Sequence, residues 1–232
     1  MTIRFSLLII LLLINVSTLN AAPLHKHASR TFSDAFDKTG LIILSVGALG
    51  TIIAAGQDQA MHDTWVNNRP GEHQRMSTTL TNFGNFWGMG ISEAGIAAGQ
   101  LIFDRENGIA STEGLLSATV VAYTLKYSVR RARPDSNTLT SFPSGHSQVS
   151  FASATTIAMS YGWKYSVPSY ILATVTAMSR LADNAHWFSD VVAGATIGIL
   201  FGRAGFEHHF GVTPLTYNDG SRGYGLAFNW AY

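Results

Sequence analysis

The sequence predicts an all-α fold, a compact helical bundle followed by a short β-hairpin-like tail. Three observations carry that prediction. In the second half, Ser147–Trp163, Val167–Leu181 and Phe188–Phe206 are apolar runs broken by Ser, Thr and Gly, suited to packed helices and short of a membrane span. Upstream, "STEGLLSATVVAYTLKYSV" (111–129) opens on Ser-x-x-Gly and carries an apolar face at helical spacing. Strand-like alternation is confined to the end of the chain, where Asn218-Asp219-Gly220 stands between β-prone runs as a hairpin signal.

Taken in order, residues 1–21 have a basic start, an apolar run Phe5–Val16 and small residues at their end. This is the layout of a secretory signal peptide and predicts an exported, periplasmic protein. Residues 22–35 ("APLHKHASRTFSDA") read as a polar, flexible lead-in to a helical domain over 36–206. Within Lys38–Gln57, "LIILSVGALGTIIAAG" (41–56) is the one mature segment that approaches spanning length. It is Gly/Ala-rich and closely bounded by Lys38 and Asp58, which predicts a buried helix; an anchor through residues 41–56 is the alternative left open. Residues 58–82 read as helix plus loop, and "NFWGMGISEAGIAAGQLIFDR" (85–105) as a further helix carrying Glu93. The aromatic stretch 82–90 and Trp163 fit either core or a membrane interface, core being preferred. Residues 207–232 form the tail.

Composition narrows the class. The chain has 232 residues, 47% hydrophobic and 12% charged. Its mean hydropathy is +0.16, and the first 21 residues carry essentially all of it. The remainder averages near zero, which favours a soluble or peripheral protein over a bundle of spans. Without Arg4 of the leader, 14 basic residues balance 14 acidic ones, so no global field points to nucleic acid. The absence of cysteine excludes disulfides, thiol catalysis and thiolate metal sites. His25 and His27 lie in the lead-in and His208 and His209 are adjacent, so none completes a metal-ligand set; no metal or cofactor is expected.

Three clusters carry chemistry. In "KYSVRRARP", Lys126 and Arg133 are two helical turns apart, hence roughly on one face, and Pro134 biases Arg133 out of the helix. A solvated basic helix end is the plainer reading. In "PSGH" (143–146), Gly145 lets backbone approach a ligand, Ser144 offers a hydroxyl, and the following amides suit an anion; an ordinary helix cap with a surface His146 is the plainer reading. In "SRLADNAHWFSD" (179–190), Arg180 supplies a fork of donors for phosphate oxygens. His186 and Asp190 are i,i+4, so on a helical turn the carboxylate holds one imidazole nitrogen and frees the other as a nucleophile; a capped helix with a satisfied histidine is the alternative.

Together, Lys126-x6-Arg133-Pro134, Pro143-Ser144-Gly145-His146 and Ser179-Arg180-x5-His186-x3-Asp190 form an ordered tripartite pattern. This pattern resembles the type 2 phosphatidic acid phosphatase and vanadium haloperoxidase superfamily over about residues 115–203. The resemblance implies that family's helical bundle and a phosphate held by Lys126, Arg133 and Arg180, with Ser144 and the Gly145 amide completing the cradle. It further implies that His186 attacks phosphorus to form a phosphohistidine, that Asp190 orients His186, and that His146 protonates the leaving alkoxide and later activates water. The implied substrate is a phosphorylated small molecule or a lipid phosphate, without nucleic acid and with peripheral membrane contact as one option; oligomeric state is not legible. A vanadate-dependent haloperoxidase is an alternative, disfavoured by chain length and by the short segment between Pro134 and Pro143. A non-enzymatic phosphate- or lipid-binding module is another, disfavoured because His146, His186 and Asp190 are all present.

Overall fold

The computed structural model describes residues 24–67, 82, 95–206, 211–216 and 222–227. The leader over 1–21, residues 83–90 of the aromatic stretch, Glu93, His208, His209 and the turn at 218–220 lie outside the described residues. Seven α-helices are described: α1 (Leu24–Ala35), α2 (Lys38–His62), α3 (Ile96–Phe103), α4 (Arg105–Val129), α5 (Gly145–Tyr161), α6 (Trp163–Ala182) and α7 (Phe188–Ala204). A π-turn over Asp63–Asn67 continues α2. In the tail, β1 (Gly211–Thr216) pairs antiparallel with β2 (Arg222–Ala227), Gly211 opposite Ala227. The all-α bundle with a hairpin tail is the expected fold.

The bundle is built around α7. Gly194, Gly198 and Gly202 recur every four residues and form one stripe on this helix. A Cβ on each would lie 2.4 Å from Ser144 O, 2.3 Å from Gln148 O and 2.9 Å from Ala152 O, so α5 and α7 meet backbone against backbone. Ala35, Ala118, Ile197, Leu200, Phe201 and Ala204 form the main core cluster, joined by Phe32, Ile43, Val121 and Leu125. Gly162, at φ 77° and ψ −171°, takes a positive-φ conformation open essentially to glycine, which closes α5 and lets α6 start at the next residue.

Three expectations need correction. The lead-in over 22–35 is helical from Leu24, not flexible; Thr31, Asp34 and Ala35 are buried, and Phe32 packs edge-on to Phe201 with centroids 5.3 Å apart. Its polar composition concealed a narrow buried stripe at helical spacing. Next, the apolar segment 41–56 is not a buried helix. Only Gly40, Ala54 and Asp58 of α2 are buried, whereas Ile52 is 69% and Ile53 70% exposed. The small residues form a seam: a Cβ on Gly47 would lie 2.1 Å from Thr196 Cγ2 of α7, and one on Gly50 would touch Val192. The branched residues face outward, and α2 is long and apolar enough to cross a bilayer.

Finally, the near-zero average hydropathy concealed segregation. Ser, Thr and Gln are buried along α4, α5 and α6, while Val120, Trp163, Tyr165, Val167 and Ile171 are exposed. An average over the chain cannot register which side each residue faces.

Candidate active site

The site forms where the α4–α5 and α6–α7 connections meet at one end of α4, α5 and α7. α4 ends at Val129, because Arg130 adopts the left-handed conformation at φ 51° as its C-cap. The helix therefore stops before Arg133, which does not share a helical face with Lys126. Arg133 is instead held in a returning loop by Arg133 N–Thr138 O (3.1 Å) and Ser141 N–Arg131 O (3.0 Å). Lys126, in the last turn of α4, donates to Thr140 O (2.8 Å) and Pro143 O (2.6 Å), tying the first cluster to the second.

Ser144 caps α5, its hydroxyl accepting from Ser147 N at 3.5 Å. Its own N–H donates to Asp190 O at 2.9 Å, so the N-termini of α5 and α7 are joined. A Cβ on Gly145 would meet nothing within 4 Å, unlike the α7 glycines. Among the described residues none places an atom within 4 Å of that position, and the Gly145 and His146 amides of the first helical turn lie beside it.

In the third cluster, His186 is not helical; it stands in the turn before α7 while Asp190 lies in the first turn of that helix. The two still meet, His186 Nδ1 to Asp190 Oδ2 at 3.8 Å, through a carboxylate that reaches back along the chain. That separation is a charge contact rather than a hydrogen bond. Asp190 Oδ2 also accepts from Trp187 N (2.9 Å) and Ser141 Oγ (2.5 Å). Arg180 pairs with Asp183 (2.9 Å) and donates to Ser179 Oγ (2.9 Å).

Electrostatics gather these residues into one place. Burial pushes His146 down to about 3, reinforced by Arg180, His186, Arg133 and Lys126. Residues from all three clusters thus act on one imidazole. Burial, then Arg133, push Lys126 down to about 8, against the pull of Asp190. His186 is lowered chiefly by burial, and Asp190 opposes this. Burial works to raise Asp190, but His186, Ser141, the Trp187 N–H and Arg131 outweigh it and hold the carboxyl below its ordinary range.

The structure therefore brings Lys126, Arg133, His146, Arg180, His186 and Asp190 together, with Ser144 and Gly145 forming the α5 wall. Among the described residues, no group of three His, Asp or Glu side chains is placed to hold a metal ion.

Sequence reading missed Ser141, Asp58 and Arg131. Arg131 donates to Ser189 Oγ (2.6 Å), Asp190 Oδ1 (2.8 Å) and Asp58 Oδ2 (2.7 Å). The only signal for it was the density of arginine at 130–133.

The sequence model of the PAP2 superfamily matches residues 109–213. A lipid A 1-phosphatase of Porphyromonas gingivalis is 38% identical over 122 residues, covering 51% of this chain and 26% of the relative. A lipid A 4′-phosphatase of Helicobacter pylori is 30% identical over 106 residues, covering 43% of this chain and 54% of the relative. The matches thus span about a quarter and about half of those relatives' lengths. Among solved structures, LpxE of Aquifex aeolicus aligns with a TM-score of 0.57 at 23% identity, covering 65% of this chain and 95% of that one. The first transmembrane PAP2 type phosphatidylglycerolphosphate phosphatase from Bacillus subtilis aligns with a TM-score of 0.54 at 21% identity, covering 75% and 92%. These likenesses establish a shared fold.

Proposed function

We propose, on the premise that residues 109–213 belong to the PAP2 superfamily, that this protein is a metal-independent phosphatase acting on phosphomonoesters of membrane lipids. The observation that carries the reading is the joining of the three clusters: Lys126 donates to Pro143 O, Ser144 N donates to Asp190 O, and His186 Nδ1 faces Asp190 Oδ2.

In this reading the phosphate sits among Lys126, Arg133 and Arg180, with the Ser144 hydroxyl and the Gly145 amide on its α5 side. Three cations stabilise the charge that builds as phosphorus becomes five-coordinate. Because Nδ1 of His186 faces Asp190, Nε2 is the attacking atom. It forms the P–N bond as the P–O bond to the alkoxide breaks, and Asp190 stabilises the resulting imidazolium. His146 gives its proton to the alkoxide, then takes one from the water that cleaves the phosphohistidine.

Two observations support a lipid substrate: the relatives named for lipid A dephosphorylation and the outward apolar face of α2. The protein is read as exported, with α2 seated in the membrane. The test is phosphate release from a lipid A monophosphate and from a short-chain phosphatidic acid, with EDTA present, by the full chain and by His186→Ala. Release that survives EDTA and falls by about 1,000-fold or more in the variant is expected. An unaffected variant, or no release from lipid, aryl or nucleotide phosphates, overturns the reading.

A further inference from the structure

We infer that Arg131 and Asp58 form a positioning bridge that sets the Asp190–His186 pair from outside the phosphate cradle; the inference rests on the phosphatase reading above. Asp190 is completely buried and Asp58 nearly so. A carboxylate so placed needs its oxygens satisfied in fixed directions. Arg131 occupies Asp190 Oδ1 at 2.8 Å, which leaves Oδ2 to Ser141, Trp187 N and His186. The guanidinium thereby selects which oxygen faces the imidazole.

Arg131 is itself held on two sides. Its second terminal nitrogen donates to Asp58 Oδ2 at 2.7 Å, and its guanidinium carbon lies 5.3 Å from the centroid of the Trp187 ring. The indole is fixed in turn by Trp187 Nε1 donating to Ala132 O at 3.0 Å. Asp58 completes the bridge from α2: Oδ1 accepts from Ser189 N and Oδ2 from Ser189 Oγ, both at 2.8 Å. A carboxylate from a distant helix thus caps the first turn of α7, where Asp190 is carried. Three of the five N–H donors of Arg131 are engaged in this bridge. Lysine cannot reproduce a fork that spans two carboxylates.

A double-mutant comparison tests the bridge. Arg131→Lys, Arg131→Gln and Asp58→Asn are each made in the full chain and again in an Asp190→Asn background, and kcat and KM are measured on the short-chain phosphatidic acid. If the bridge acts through Asp190, each substitution lowers kcat by about 10- to 100-fold in the parent. KM stays within about threefold. In the Asp190→Asn background the same substitutions cost less than about threefold, since there is no carboxylate left to orient. Equal losses in both backgrounds, or Arg131→Lys at parental kcat, overturn the proposal. The nitrogen NMR signal of His186 Nδ1 provides a readout that needs no turnover. It should move in Arg131→Lys, and an unmoved signal also overturns the bridge. A parent chain inactive on every ester rejects the phosphatase reading, while the NMR comparison still decides the bridge.

Discussion

At His146, burial first and then the neighbouring cations push the imidazole of the free protein down to about 3, which favours its neutral form near neutral pH. A general acid must nevertheless carry a proton. In the proposed reading a bound phosphate offsets Lys126, Arg133 and Arg180, whose repulsion adds to burial in lowering the imidazole. The pKa therefore rises on binding, and kcat should fall on the alkaline side as the bound-state proton is lost. His146→Ala should cost about 100- to 10,000-fold on an alkyl phosphate, whose leaving group needs a proton. It should cost only about tenfold on p-nitrophenyl phosphate, whose leaving group does not. Rate profiles against pH for both esters check this; equal losses on the two would remove His146 from leaving-group protonation.

Between helices, the contrast among glycines makes a prediction. Gly198→Ala places a methyl 2.3 Å from Gln148 O, so α5 and α7 must part. A loss of about 1–3 kcal/mol is expected, read as a lowered thermal midpoint in detergent. Gly145→Ala meets no atom of the described residues within 4 Å; its midpoint should match the parent while inorganic phosphate or vanadate binds more weakly. Two of the three clusters of the candidate site were legible in the sequence because they are local: Ser144 caps the helix that Gly145 and His146 begin, and Asp190 folds back on His186 within a few residues. The helical face read for Lys126 and Arg133 is absent because α4 ends at Val129. What was not legible depended on distant partners. Asp58 meets Ser189 across 131 positions, and nothing near Asp58 foretells it. Nor could Arg131 be told from Arg130 and Arg133 until the helix was seen to end at Val129. The Gly/Ala content of 41–56 was read as burial, but it records only the seam on α7.

For the whole molecule, α2 presents Leu41, Val46, Leu49, Ile52 and Ile53 outward, and α6 adds Trp163, Tyr165 and Ile171. Replacing both Ile52 and Ile53 with Lys introduces two charges, each costing about 2.5–3.5 kcal/mol in a helix centred in a bilayer. Vesicle flotation should show the variant leaving the lipid fraction, while its turnover of soluble p-nitrophenyl phosphate stays within about twofold. Flotation equal to the parent would remove α2 from membrane contact.

Two long-range polar contacts of α7 fall at its two ends. Asp58 near the C-terminal end of α2 holds Ser189 at its start, and Asp37 before α2 holds Arg203 near its finish at 2.6 Å. The helices are thus antiparallel and riveted at both extremities. A spanning helix free at one end tilts to suit a thinner or thicker bilayer. One riveted at both ends can tilt only by loading its rivets, and one of these sits beside Asp190. With α2 seated in a bilayer as proposed, a change of thickness loads the Asp58–Ser189 rivet and, through it, the Asp190–His186 pair, so the surrounding lipid acts as a lever as well as a solvent.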